Sequence, residues 1–209
     1  SFIEKIPQKL LFEMLEDPEW RIKLLSLKTI SRLVEDREDQ FKDLDLYQLL
    51  KDPEIKVQAE TLNLLSKTTY IPPLDLIIDK IHHNHKLIRA SAINNLKKLN
   101  KENLDSKLIP KLIPLMRDPS SSVRASIFQV LSKFGSFKKF SIPLSPMFDG
   151  LSDPDPKLRN ASVSVLSTYF EEKPKAIEIE NIINKIDKSN TESLLNILTL
   201  LGNIWHKNE

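Results

Sequence analysis

One short phrase returns five times along this chain, and its spacing constrains the fold more than any other feature. An Asp-Pro turn, or its equivalent, is followed five residues on by Val, Ile or Leu, then by Arg, Lys or Gln, then by apolar residues at fixed distances. Asp17-Pro18 leads to Ile22, Lys23, Leu27 and Ile30, and Asp52-Pro53 leads to Val57, Gln58, Leu62 and Leu65. His83 takes the place of Asp in the third copy and leads to Ile88, Arg89, Ile93 and Leu96. Asp118-Pro119 leads to Val123, Arg124, Phe128 and Leu131, and Asp153-Pro154 to Leu158, Arg159, Val163 and Leu166. A degraded sixth copy starts at Asp187 and gives Ile197 and Leu200. The starts lie 35, 31, 35, 35 and 34 residues apart. A period of this length marks helix pairs that bury their apolar faces by stacking on the next pair. The chain therefore reads as all-α, an α-α superhelix (solenoid) of about six helix pairs forming one domain over 1–209.

The repeats fall at roughly 1–37, 38–70, 71–102, 103–138, 139–173 and 174–209. In the first, Leu10, Leu11, Met14 and Leu15 share one helical face ahead of the turn, and a second helix runs to about Val34. The same reading pairs 41–51 with 54–67, 73–82 with 85–99, 106–117 with 120–134, 143–152 with 155–170 and 175–186 with 190–206. Each turn has a physical cause. Asp accepts hydrogen bonds from free N–H groups at the start of the second helix and sits at the positive end of its dipole. Proline suits the first helical position, where it has no N–H to leave unpaired. Ala59, Ala90, Ala125 and Ala161 let the partner helix approach closely. Prolines inside first helices, at Pro110, Pro114, Pro143 and Pro146, are expected to bend them.

Composition removes several classes of function. The 209 residues contain no cysteine, which excludes disulfides, thiolate metal sites and thiol nucleophiles and fits an intracellular, cytoplasmic protein. Only 3 glycines are present, few for a fold built on phosphate-binding loops. No apolar run reaches the roughly 20 residues that span a bilayer. Phe2-Ile3 is followed at once by Glu4 and Lys5, unlike the opening of a signal peptide, and the chain begins at Ser1 as an excised piece would. Net charge is +2, but it is unevenly spread: −4 over residues 1–60, +9 over 61–140 and −3 over 141–209. The basic middle favours an acidic partner, or else it is a lysine-rich solvated face.

The segments RDPSSSVRASIFQVLSKF and SDPDPKLRNASVSVLSTYF resemble HEAT repeats, of the armadillo-type α-solenoid family, and the resemblance extends over essentially the whole chain. It implies that Asp17, Asp52, Asp118 and Asp153 cap helices, and that Arg89, Arg124 and Arg159 form a ladder with the Asp of neighbouring repeats. A narrower likeness is to tubulin-binding TOG domains, arrays of six HEAT repeats whose first turn carries Trp with a basic residue three places on. Trp20 and Lys23 have that spacing, and Lys56, Lys86, Ser121 and Lys157 match the later turns. Tubulin is acidic, as the charge pattern would suit. Lys23 is equally the ordinary basic residue of a HEAT repeat, and Trp20 equally an apolar cap on the end of the stack.

Chemistry-bearing motifs are scarce. His82, His83 and His85 could bind zinc or nickel weakly, but they lie in a turn with no nearby acid, and solvated histidines are the simpler reading. Iron-binding HEAT hydroxylases repeat His-Glu pairs, and this chain has none. No P-loop, dinucleotide fingerprint or nucleophile elbow occurs, so the expectation is no enzyme, no catalytic residue, no metal and no cofactor. A basic face for nucleic acid, as in HEAT-like DNA-repair glycosylases, would use Lys97, Lys98, Lys101, Lys107, Lys111, Lys133, Lys138 and Lys139, but no aromatics interleave them for base stacking. The expected function is a scaffold or adaptor that presents a concave face and a ridge of turns to another protein. Its candidate partner-binding residues are Trp20, Arg21, Lys23, Lys56, His85, Lys86 and Lys157, with tubulin binding and then nucleic-acid binding as alternatives.

Overall fold

The computed structural model describes residues 6–41, 44–99, 108–135, 137–173 and 191–206. They form helices and turns with no strand among them. Two compact units, 1–99 and 100–209, account for the chain.

In the first unit, α1 (Gln8–Leu15) packs on α2 (Trp20–Arg37), and α4 (Leu74–Ile81) on α5 (Lys86–Leu96). Between them α3 (Ile55–Lys67) lies against both α2 and α5. The second helices thus stack as an inner row, held by the apolar residues that the periodicity picks out: Leu27, Ile30, Val57, Leu62, Leu65, Ile88, Ile93 and Leu96 are all buried. The expected first helix of the second repeat, 41–51, is absent as an α-helix. Two 3₁₀ turns, Glu38–Phe41 and Gln48–Lys51, replace it. Asp45 accepts the N–H of Tyr47 at 3.0 Å, a local turn bond that competes with helix.

In the second unit, α6 (Leu108–Leu112) passes into a 3₁₀ turn (Ile113–Arg117) ahead of α7 (Ser121–Phe134). α8 (Ser145–Asp149) passes into a 3₁₀ turn (Gly150–Ser152) ahead of α9 (Pro156–Glu172). α10 (Thr191–His206) packs on α9, which packs on α7. The prolines shorten and tighten these first helices rather than bending long ones, because a residue without an N–H breaks the i→i−4 ladder. The first helix expected over 175–186 and the Asp187 start lie outside the described residues. Gly150 leaves room for side chains of two helices: a Cβ there would lie 2.2 Å from Ser162 Oγ and 3.2 Å from the Phe128 ring.

Candidate turn ridge

The turns follow one design, which differs in register from the sequence expectation. The N-caps of α2, α3, α5, α7 and α9 are Glu19, Glu54, His85, Ser120 and Asp155. The repeated Asp stands two residues earlier, and its Oδ1 accepts the N–H of the N-cap residue at 2.8 Å in Asp17, Asp52 and Asp118 and 2.9 Å in Asp153. Pro18, Pro53, Pro119 and Pro154 therefore precede the N-cap and fix the approach to the helix, while only Pro156 occupies a first helical position. In the third turn His83 does the work of Asp: its Nδ1 accepts the His85 N–H at 3.0 Å.

The basic position closes the turn from the other side. Arg124 Nη1 donates to the Asp118 carbonyl at 2.7 Å, and Arg159 Nη1 to the Asp153 carbonyl at 3.0 Å. Arg89 Nη1 donates to the His83 carbonyl at 2.9 Å, and Gln58 Nε2 to the Asp52 carbonyl at 2.7 Å. The second nitrogen reaches the next repeat: Arg124 Nη2 meets Asp153 Oδ2 at 2.5 Å, and Arg159 Nη2 meets Glu192 Oε2 at 3.1 Å. Lys23 Nζ makes the equivalent rung in the first unit, 2.8 Å from Asp52 Oδ2, with side chains only 19% and 4% exposed. The ladder follows from the repeat itself, since one residue must satisfy a carbonyl of its own turn and a carboxylate of the next.

This sorts the sequence-derived candidates. Lys23 is committed to the ladder. His85 is half-buried and spends its Nδ1 on the Leu87 N–H at 3.3 Å, capping α5. Arg21, Lys56 and Lys86 are exposed on the first turns of α2, α3 and α5 in the first unit, and Lys157 is exposed at the same place on α9 in the second. Trp20 is half-buried, and its ring carries the Arg21 guanidinium 4.8 Å and the Lys56 ammonium 5.0 Å from its centroid. The structure brings these three into one cation–aromatic cluster. Glu19 holds Arg21 in place at 2.8 Å.

The acids Glu19, Glu54 and Asp155 stand at the N-caps of α2, α3 and α9, where they favour the positive ends of the dipoles, and the cations follow them inside the first turn. No second helix from α2 to α9 has an acidic residue in its first turn. Cations there face the positive end of the macrodipole, which costs a few tenths of a kcal/mol each, roughly 0.3–1.

The other candidates separate as well. Among the described residues no group of three or more His, Asp and Glu is placed to hold a metal ion. Among the lysines considered for phosphate, Lys98 is half-buried and donates to the carbonyls of Leu65 and Tyr70, which leaves its ammonium occupied at the end of α3. Burial pulls its pKa down from 10.5 to about 8. Lys133 and Lys139 lie 5.3 and 5.4 Å from the rings of Phe134 and Phe140 beside them. Lys101 and Lys107 lie outside the described residues. No described helix is long and apolar enough to cross a membrane.

Stacked helix pairs joined by capped turns and tied by a ladder of ion pairs define an α-α repeat protein. The fold is of the HEAT/armadillo type, and the HEAT repeat family profile matches residues 108–137, the span of α6, α7 and the turn between them. A designed armadillo repeat protein in complex with the peptide (KR)4 has a similar fold, with a TM-score of 0.65 at 15% identity over 95% of this chain and 100% of that one. An engineered protein shares it with a TM-score of 0.67 at 15% identity, over 95% of this chain and 98% of that one. So does the archaeal HEAT-like repeats protein from Thermococcus onnurineus NA1, with a TM-score of 0.59 at 15% identity, over 97% of this chain and 88% of that one. Comparison with curated proteins returns no sequence match.

Proposed function

We propose that the chain is a non-enzymatic interaction module that binds an acidic protein surface through the turn ridge of its first unit. The observation that carries this reading is the Trp20–Arg21–Lys56 cluster, with Lys86 in the first turn of the second helix of the next repeat. Trp and Arg are the residue types that most often dominate protein interfaces. Here a ring holds two cations at its face, which fixes their position before a partner arrives and lowers the ordering entropy of binding. The N-cap acids Glu19 and Glu54 offset part of the dipole cost of these cations, and an anionic partner would offset the rest on binding. Lys157 offers the same chemistry in the second unit.

Tubulin is the acidic partner that the first-turn resemblance singles out, and it supplies a direct test. Co-sedimentation of the full chain with tubulin is expected to show saturable binding that Lys56→Glu/Lys86→Glu weakens by about tenfold or more. The variant should melt as the parent does, because both side chains are exposed. Unchanged affinity after that double reversal would sink the reading. Binding to duplex DNA in preference to tubulin would transfer the ridge to the nucleic-acid alternative.

A further inference from the structure

The second repeat departs from its neighbours, and the departure leaves a cavity. Where the other described first elements begin as α-helix, the turns Glu38–Phe41 and Gln48–Lys51 leave a hollow of about 640 Å³ against the C-terminal end of α3. That volume lies in the range of sites that take a small molecule or one or two side chains. Its floor is apolar, made by Phe41, Leu44, Leu46 and Leu65. One wall is aromatic: the rings of Tyr47 and Tyr70 meet edge-on at 5.9 Å, and their hydroxyls are hydrogen-bonded to one another. Burial and the Tyr70 hydroxyl push the Tyr47 phenol up, so this wall stays neutral. The rest of the rim is acidic, with Glu38, Asp39 and Asp45, and no basic residue is among the described residues that line it.

We propose that this cavity binds a cationic side chain with an apolar stem, an Arg or Lys flanked by apolar residues in a partner protein. Charge complementarity selects the occupant. The three carboxylates and the negative end of the α3 dipole bear on one mouth. The Lys98 ammonium holds the carbonyls there and offsets the charge of Glu38, so Asp39 and Asp45 give this mouth its net negative charge. Glu38 orders the rim by accepting the N–H and hydroxyl of Thr69. Asp45 orders it by accepting the Tyr47 N–H. Tyrosine faces add cation–π attraction for the head, and the floor takes the stem. The site lies at the opposite end of α3 from Lys56, roughly 15 Å away along the helix. It is therefore separate from the turn ridge, and its charge preference is the reverse.

Nuclear magnetic resonance titration of the full chain with the acetylated amide Leu-Arg-Leu tests this. The expected result is shifts confined to Phe41, Leu46, Tyr47, Thr69 and Tyr70, with the Leu-citrulline-Leu and Leu-Glu-Leu analogues bound about tenfold more weakly or not at all. Asp39→Asn/Asp45→Asn, two exposed positions, should weaken the Arg peptide by about fivefold with an unchanged spectrum elsewhere. Butylguanidinium alone is the second probe. If it binds as well as the peptide, the site takes a free organic cation and the partner-protein assignment is overturned. Equal binding of the Arg, citrulline and Glu peptides, or shifts that map elsewhere, would overturn the site itself. None of these outcomes depends on Lys56 or Lys86, so they leave the tubulin experiment independent.

Discussion

His83 and His85 show how one residue type changes what a turn tolerates. Both imidazoles accept a backbone N–H through Nδ1, the role that a carboxylate fills in the turns at Asp17, Asp52, Asp118 and Asp153. A protonated imidazole has no lone pair to give. Burial lowers the His83 pKa below its ordinary 6.5; Lys80, His85 and Arg89 add to that, and Asp79 opposes it. The sign follows directly. The unfolded chain binds the proton more tightly than the folded one, so stability is level above about pH 6.5 and falls as pH drops below it. Thermal melts from about pH 8 to pH 5 should show that loss, and His83→Asp, which restores the usual acceptor, should flatten the curve. An unchanged slope in that variant would remove His83 as the cause. Lys98 has the same sign in a higher window: its pKa is lowered from 10.5 to about 8, so the cost of its charge is relieved, and stability rises, as pH climbs from about 8 towards 10.5.

At the scale of the element, the second helices were legible from the chain and the first helices only in part. The apolar residues after each turn have nowhere to go but the neighbouring pair, so Val123, Phe128 and Leu131 and their counterparts are buried where the period puts them. Leu131→Ala should cost about 3 kcal/mol by chemical denaturation, in the range for a fully buried leucine. Gly150→Ala should also destabilise, because the new methyl group would press on Ser162 and Phe128 of the helices beneath. The 3₁₀ turns of the second repeat could not be read, because the apolar spacing of Phe41, Leu44, Leu46 and Leu50 fits a helix as well. What decides is the local bond from Tyr47 to Asp45, which periodicity does not register. The place of proline was misread for a similar reason: Asp-Pro marks the approach to the helix, and the capping residue comes after it.

For the molecule as a whole, the sequence named the fold type but could not sort the lysines on the turns. Lys23 and Lys56 are both basic residues near a turn. One points to a carboxylate of the next repeat and the other to the face of Trp20, a difference set by which side of the helix each occupies. The residues proposed to bear on a partner are thus those that the ladder does not use. Affinity for an acidic partner should fall with added salt as exposed cations are screened, while the half-buried ladder is screened less. Melting curves in low and high salt should therefore move less than binding does.

The most direct test places Lys23→Met and Lys56→Met side by side, reading melting temperature and affinity for tubulin in the same preparation. The account predicts that Lys23→Met loses about 2 kcal/mol of stability, because it strands the buried Asp52 carboxylate, and keeps its affinity. Lys56→Met should melt as the parent does and bind several-fold more weakly. A ladder variant that binds weakly without melting early, or a ridge variant that melts early and binds normally, would contradict it.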